Sequence, residues 1–319
     1  MDRLLEAKGL RKVYPYRKGI FAAARELVAV AGVDVEVYRG ETLGLVGESG
    51  CGKSTLGRLL LRLEKPTAGK IVFEGREIAH LPEAALRPLR KRMQIVFQDP
   101  YTSLNPRKKV REVLEEPFLI HGLVPDRRER RERVRELLEL VGLSKEALER
   151  YPHEFSGGQR QRIGIARAIA LEPSFVVADE PVSALDVSVQ AQILNLFLEL
   201  QQRMGLTYLF ISHDLQVVRY VAQRVAVMYM GRVVELAPRD ELFKNPLHPY
   251  TKALLDAVPT LEPGRRLIPP LAGDVPSPFL HPKGCPFSSR CPRVSALCRD
   301  EMPSLREVAP DHHVACLMV

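Results

Sequence analysis

The stretch Gly47-Glu48-Ser49-Gly50-Cys51-Gly52-Lys53-Ser54-Thr55 satisfies every fixed position of the pattern G-x-x-x-x-G-K-[ST]. It reads as a P-loop. Before it, Thr42-Leu43-Gly44-Leu45-Val46 is a short apolar run with a β-branched end, and after it Leu56 to Leu63 reads as an apolar helix. Strand, loop and helix in that order is the context in which such a loop cradles phosphate. Gly47, Gly50 and Gly52 let the backbone curl so that successive N–H groups aim at phosphate oxygens, and the positive end of the following helix adds its field. Lys53 then suits the β- and γ-phosphates, and the Ser54 hydroxyl suits Mg²⁺.

Working outward, Phe175-Val176-Val177-Ala178-Asp179-Glu180 is an apolar run that ends in two carboxylates. Asp179 suits the Mg²⁺ hydration shell and Glu180 suits polarisation of an attacking water, against the plainer reading of a strand capped by acids. Met93 to Phe97 is a further buried strand, closed by Gln98-Asp99-Pro100. Gln98 is either a polar terminator or, beside a P-loop, a group that reaches Mg²⁺ or the water. Leu206 to Ser212 is a third strand and ends at His213-Asp214.

Phe155-Ser156-Gly157-Gly158-Gln159 precedes an apolar helix pattern at Ile163, Ile165, Ala166 and Ile169. Ser156 is a good N-cap and the glycines expose helix N–H groups, which makes a second anion site. Two such sites suit one nucleotide if one chain's Ser-Gly-Gly caps the triphosphate on another chain's P-loop. Near the start, Leu4 to Val13 reads as an exposed strand followed by Tyr14, a ring that suits stacking on a purine or plain edge packing. Pro15 to Glu26 reads as a basic loop, Leu27 to Val37 as a second strand, and Lys70 to Phe73 as another. From Leu104 to Leu171 the pattern turns helical. Val134, Leu137, Leu138 and Val141 mark one helix face, and the charges between them mark a solvated one.

The chain has 319 residues, 45% of them apolar and 27% charged, which suits a globular protein with one large domain and a smaller appendage. It has no run of 18 uncharged apolar residues, and its start, Met1-Asp2-Arg3-Leu4-Leu5-Glu6, lacks the apolar core of a signal peptide, so we expect a cytosolic chain. A net charge of +8 suits phosphate-bearing ligands or a nearby anionic lipid surface. No interleaving of aromatic and basic residues for stacking bases is visible, and no nucleic acid partner is expected.

Together these motifs resemble the nucleotide-binding subunit of an ATP-binding-cassette (ABC) transporter: Walker A at Gly47 to Thr55, the Q-loop Gln98, the signature Ser156-Gly157-Gly158-Gln159, Walker B Asp179-Glu180, the D-loop Ser183-Ala184-Leu185-Asp186 and the switch His213. One departure is Phe155, where the family usually has Leu. The segments Phe97 to Arg107, Pro181 to Gln192 and His248-Pro249-Tyr250-Thr251 are similar to the oligopeptide and dipeptide importers, and within them to the F-type ATPase subunit. Nickel importers share much of that pattern. The resemblance implies an α/β P-loop NTPase fold with an antiparallel β edge: an ABC nucleotide-binding domain over residues 1–240, a helical subdomain near 100–170 and a C-terminal peptide-importer extension over 241–319.

It also implies a mechanism. Two subunits close head to tail on ATP, with Tyr14 stacking on adenine and Ser54, Gln98 and Asp179 around Mg²⁺. Glu180 acts on the water, His213 contacts the γ-phosphate, and Ser156, Gly157, Gly158, Gln159 and Asp186 face the other protomer's nucleotide. The partner is a D-type paralogue or an identical chain. Two transmembrane permeases and an external peptide-binding protein complete the importer, with this chain peripheral on the cytoplasmic face of the inner membrane. A soluble ABC ATPase acting on nucleic acid is the rival from another class, and it usually carries coiled-coil insertions, tandem cassettes or zinc fingers.

Past Pro238 the chain is proline-rich, with eleven of its 25 prolines between Pro259 and Pro310, so that stretch cannot be mostly helix or sheet. Order has to come from elsewhere. Cys285, Cys291, Cys298 and Cys316, spaced C-x₅-C-x₆-C-x₁₇-C, offer a thiolate set for a metal centre, against four free cysteines. Zinc sites favour close C-x₂₋₄-C pairs, and with none present the expectation is a [4Fe–4S] cluster, with Zn²⁺ as the alternative. The resemblance to importer tails, through Gly273-Asp274-Val275-Pro276-Ser277-Pro278 and these cysteines, points the same way. His312 and His313 are read as a polar tail pair, against a reading as alternative metal ligands. Cys51, beside Lys53 and a helix N-terminus, is expected to have a lowered thiol pKa.

Overall fold

A computed structural model describes residues 2–17, 25–257, 279 and 282–319. Part of the expected basic loop and the stretch Gly273 to Pro278 lie outside the described residues. The chain divides into two compact units.

The P-loop unit comprises the described residues of Arg3–Val37, Thr42–His80 and Ser212–Val319. At its centre, strand Thr42–Val46 is buried at every position and pairs in parallel with Arg224–Tyr229. An unbroken apolar run is what a strand covered on both faces requires. Arg224–Tyr229 pairs antiparallel with Arg232–Pro238, which in turn accepts His312–Val314, itself paired with Arg306–Ala309. The proline-rich tail therefore ends in two short strands, because Arg232–Pro238 has a free edge for them.

A second, antiparallel sheet pairs Arg3–Tyr16 with Ala68–Phe73, with Leu5 opposite Phe73 and Ala7 opposite Ile71, and carries Arg25–Tyr38 and Arg76–Glu77 on its flanks. The first strand, expected to be exposed, buries Leu4, Leu5, Ala7 and Leu10. Its charged residues hold the outer positions while these four fill the interior.

The other unit comprises Leu81–Ile211 with Asp2 and Tyr38–Glu41. Its strands Met93–Val96, Phe175–Asp179 and Thr207–Ser212 run parallel in that spatial order, with Ile95 opposite Val177 and Val177 opposite Leu209. Three helices, Val110–Ile120, Arg127–Leu140 and Gly157–Ile169, pack on one another. Val134, Leu137 and Leu138 are buried as their spacing predicts, while Arg133–Glu136 and Arg135–Glu132 pair on the wet face and contribute little. Helix Val187–Met204 starts at Asp186. Among the described residues no helix is long and apolar enough to cross a membrane.

Candidate functional site

In the P-loop unit the chain leaves Thr42–Val46 and turns into helix Lys53–Leu60. Two glycines make the turn possible. A Cβ on Gly47 would lie 2.2 Å from the Met228 carbonyl oxygen, and one on Gly52, at φ 105°, would lie 2.1 Å from the Ala29 carbonyl oxygen. Lys53 is buried, and its ammonium donates to the Gly47 carbonyl at 2.7 Å and the Glu48 carbonyl at 3.0 Å. The loop thus holds its own cation in reserve for an anion.

Cys51 corrects an expectation. Its thiol pKa is raised rather than lowered, because burial outweighs the opposing charge of Lys53. Tyr14 is half-buried in strand Arg3–Tyr16. Its hydroxyl donates to Glu64, the Lys12 ammonium sits 4.8 Å from its ring centre, and burial followed by Glu64 pushes its pKa up to about 12. His213 is exposed just past Thr207–Ser212, and its neighbour Asp214 caps helix Leu215–Val221 by accepting from Gln216 N–H at 2.8 Å.

The other unit places the two carboxylates at the end of Phe175–Asp179. Asp179 is buried. Glu180 stands at φ 46°, a strained conformation for a long side chain, held where its N–H donates to the Ile211 carbonyl at 3.0 Å. Gln98 Nε2 donates to Glu180 Oε2 at 3.0 Å, so the structure brings these two candidates together. Ser156 caps helix Gly157–Ile169 in a reciprocal box with Gln159, with Ser156 N–H donating to the Gln159 side chain at 3.1 Å and Gln159 N–H to Ser156 Oγ at 3.3 Å. Phe155, in the position usually held by Leu, is buried under the Arg150 guanidinium, 4.4 Å from its ring centre. Asp186 is exposed.

Comparison with known proteins gives this geometry a family. The ABC transporter family matches residues 30–183, and the family described as "Oligopeptide/dipeptide transporter, C-terminal region" matches residues 234–298. The oligopeptide transport ATP-binding protein AppF of Bacillus subtilis is 54% identical, over 99% of this chain and 97% of its own length. The chain belongs to the ABC transporter ATPases. The dipeptide transport ATP-binding protein DppF of Escherichia coli is 52% identical over 99% of this ABC ATPase and 94% of its own length. A dimeric ATP-binding cassette solved in a post-hydrolysis state with ADP and phosphate is 28% identical, with a TM-score of 0.67, over 74% of this chain and 99% of its own.

The tail of this ABC ATPase carries four of its five cysteines. Cys298 and Cys316 are buried, Cys285 and Cys291 are half-buried, and all are free thiols. Cys285 N–H donates to the Cys298 carbonyl at 2.8 Å. Burial, then the neighbouring thiols of Cys298, Cys316 and Cys291, pushes the Cys285 pKa up to about 11. Among the described residues, however, no group of three or more His, Cys, Asp or Glu side chains is arranged to hold a metal ion. His312 is not a polar tail residue: it is buried, and its Nε2 lies 2.8 Å from the equally buried Glu235.

Two further residues reach the P-loop. The Tyr250 hydroxyl accepts from Glu48 N–H at 2.9 Å, and Arg290 grips the Glu48 carboxylate with both Nη atoms, at 2.9 and 3.1 Å. Tyr250 lies in a segment that marks the importer branch, whereas Arg290 sits in no pattern and has its partner 242 residues away, so no local signal announces it.

Proposed function

We propose that this ABC ATPase energises the import of dipeptides or oligopeptides, with residues 1–240 carrying the ATPase and 241–319 the importer extension. Relatives named for oligopeptide and dipeptide transport support peptide over nickel as the cargo, and an importer subunit over a soluble ATPase acting on nucleic acid. The observation that carries the hydrolytic role is Gln98 bonded to Glu180, one residue past the buried Asp179. In this reading Glu180 accepts a proton from the attacking water, and Gln98 holds the carboxylate toward it. Lys53 exchanges its loop carbonyls for the β- and γ-phosphates, Tyr14 stacks on adenine, and His213 contacts the γ-phosphate. Ser54, Gln98 and Asp179 would hold Mg²⁺, which would neutralise charge on the phosphates.

Ser156, Gly157, Gly158, Gln159 and Asp186 serve the nucleotide of a facing protomer, an identical chain or a D-type paralogue. Closure on ATP and opening after hydrolysis drive two membrane permeases fed by an external peptide-binding protein. The subunit works as a peripheral protein on the cytoplasmic face of the inner membrane. In the assembled complex, Glu180→Gln should bind ATP while phosphate release falls by about two to four orders of magnitude. Phosphate release at the parental rate would remove Glu180 from this role.

For the tail, we propose that Cys285, Cys291, Cys298 and Cys316 hold a [4Fe–4S] cluster, with Zn²⁺ as the alternative, on the strength of four free thiols in one short segment, two of whose residues are joined by the bond from Cys285 N–H to the Cys298 carbonyl; the described side chains are not themselves arranged around a metal and would have to close on it. Iron with broad visible absorbance in anaerobically purified protein supports the cluster. Zinc without iron supports the alternative, and neither metal rejects both.

A further inference from the structure

Residue 48 of the P-loop is held from outside the loop. Its carboxylate receives a two-pronged bond from Arg290, whose side chain is 5% exposed against 24% for Glu48. A guanidinium fork matches a carboxylate in both spacing and direction, and partial burial strengthens it. The Glu48 N–H is taken by the Tyr250 hydroxyl, on a fully buried ring 5.5 Å from Phe287. Phe287, also fully buried, belongs to the same cysteine-bearing segment as Arg290. Both ends of residue 48, amide and carboxylate, are therefore tied to groups that lie beyond residue 248. The carbonyls of Gly47 and Glu48 in turn hold the Lys53 ammonium.

We propose that Arg290 is a positioning residue for nucleotide binding: through Glu48 it fixes the P-loop and neutralises the one carboxylate in that loop, so ATP affinity depends on a folded cysteine-bearing segment. The proposal rests on reading Gly47 to Thr55 as the ATP cradle. Two effects follow from losing Arg290. The first turn of the loop loses one of its two ties, keeping only the bond from Glu48 N–H to Tyr250, and a bare carboxylate is left in the loop that receives a triphosphate. The second effect gives the test its direction, because removing the Glu48 charge as well should cancel it.

The test measures KM for ATP and kcat in the assembled complex for Arg290→Ala, Glu48→Gln and the double variant. Arg290→Ala is expected to raise KM about tenfold with kcat held, the loss expected for a charge-assisted bond. The double variant should recover most of that loss and match Glu48→Gln alone. Arg290→Lys, which keeps the charge with a single prong, should fall between the parent and Arg290→Ala, and it carries the test if the alanine variant does not fold. An unchanged KM in both Arg290 variants, or a double variant no better than Arg290→Ala, overturns the proposal. A Lys53→Ala control separates the two readings: if that variant keeps parental ATP affinity, the cradle assignment fails instead.

Discussion

At Cys51 two effects compete over one thiol. Lys53 and the loop favour the thiolate, while burial disfavours any charge, and burial is the larger. At neutral pH the thiolate fraction should therefore fall below that of a free cysteine, whose pKa is about 8.5. Site-resolved mass spectrometry after iodoacetamide treatment is expected to show Cys51 labelled more slowly than a free cysteine at pH 7, with labelling accelerating only above the ordinary thiol range. Labelling faster than a free cysteine would restore the lowered-pKa expectation. The same contrast separates what was readable in the sequence at this scale from what was not. Lys53, Ser156, Asp179 and Glu180 are legible because their chemistry is written in contiguous spacing. The thiol pKa of Cys51 and the grip of Arg290 on Glu48 depend on residues brought from far along the chain, and no local pattern encodes them.

Among the elements, helix Pro249–Asp256 shows how one side chain sets a boundary. His248 caps it, with Nδ1 accepting from Tyr250 N–H at 3.0 Å, while His248 N–H donates to buried Glu235 at 2.9 Å. Nδ1 can accept only while unprotonated, and burial lowers the ring pKa to about 4 from its ordinary 6.5. The unfolded chain therefore takes up a proton before the folded one does. Stability is complete above pH 6.5 and is lost as pH falls from there through 4, by about 3 kcal/mol. His248→Asn keeps a capping oxygen without the titration and should flatten that acid limb in denaturant unfolding between pH 7 and 4. An unaltered acid limb would place the effect elsewhere. The elements legible in advance, such as Thr42–Val46 and Phe175–Asp179, are those whose apolar run suffices on its own. The strand His312–Val314 was not, since its identity comes from the edge offered by Arg232–Pro238.

For the molecule as a whole, the decisive question is whether each ATP site needs two chains. The exposed Ser156 at the start of helix Gly157–Ile169 is closed into a capping box with Gln159. A relative was solved as a dimer with ADP and phosphate, and the function proposed above shares each site between two protomers. If sites are shared head to tail, a dimer of Lys53→Ala chains spoils both sites, and so does a dimer of Ser156→Arg chains. A mixed dimer behaves differently. Its two lesions fall together in one site and leave the other intact. Random mixing makes half the dimers mixed, each with one good site of two, so phosphate release should return to about a quarter of the parental rate for a two-fold arrangement. Sites complete within one chain would recover nothing, because every chain in the mixture carries a lesion. If an identical chain is the partner, the quarter appears on mixing purified variants with permeases; if a paralogue is, about half the parental rate appears when one lesion is moved to the equivalent position of that paralogue, because every dimer then keeps one good site of two. Failure in both arrangements would break the link between the Ser156 cap of one protomer and the Lys53 loop of the other.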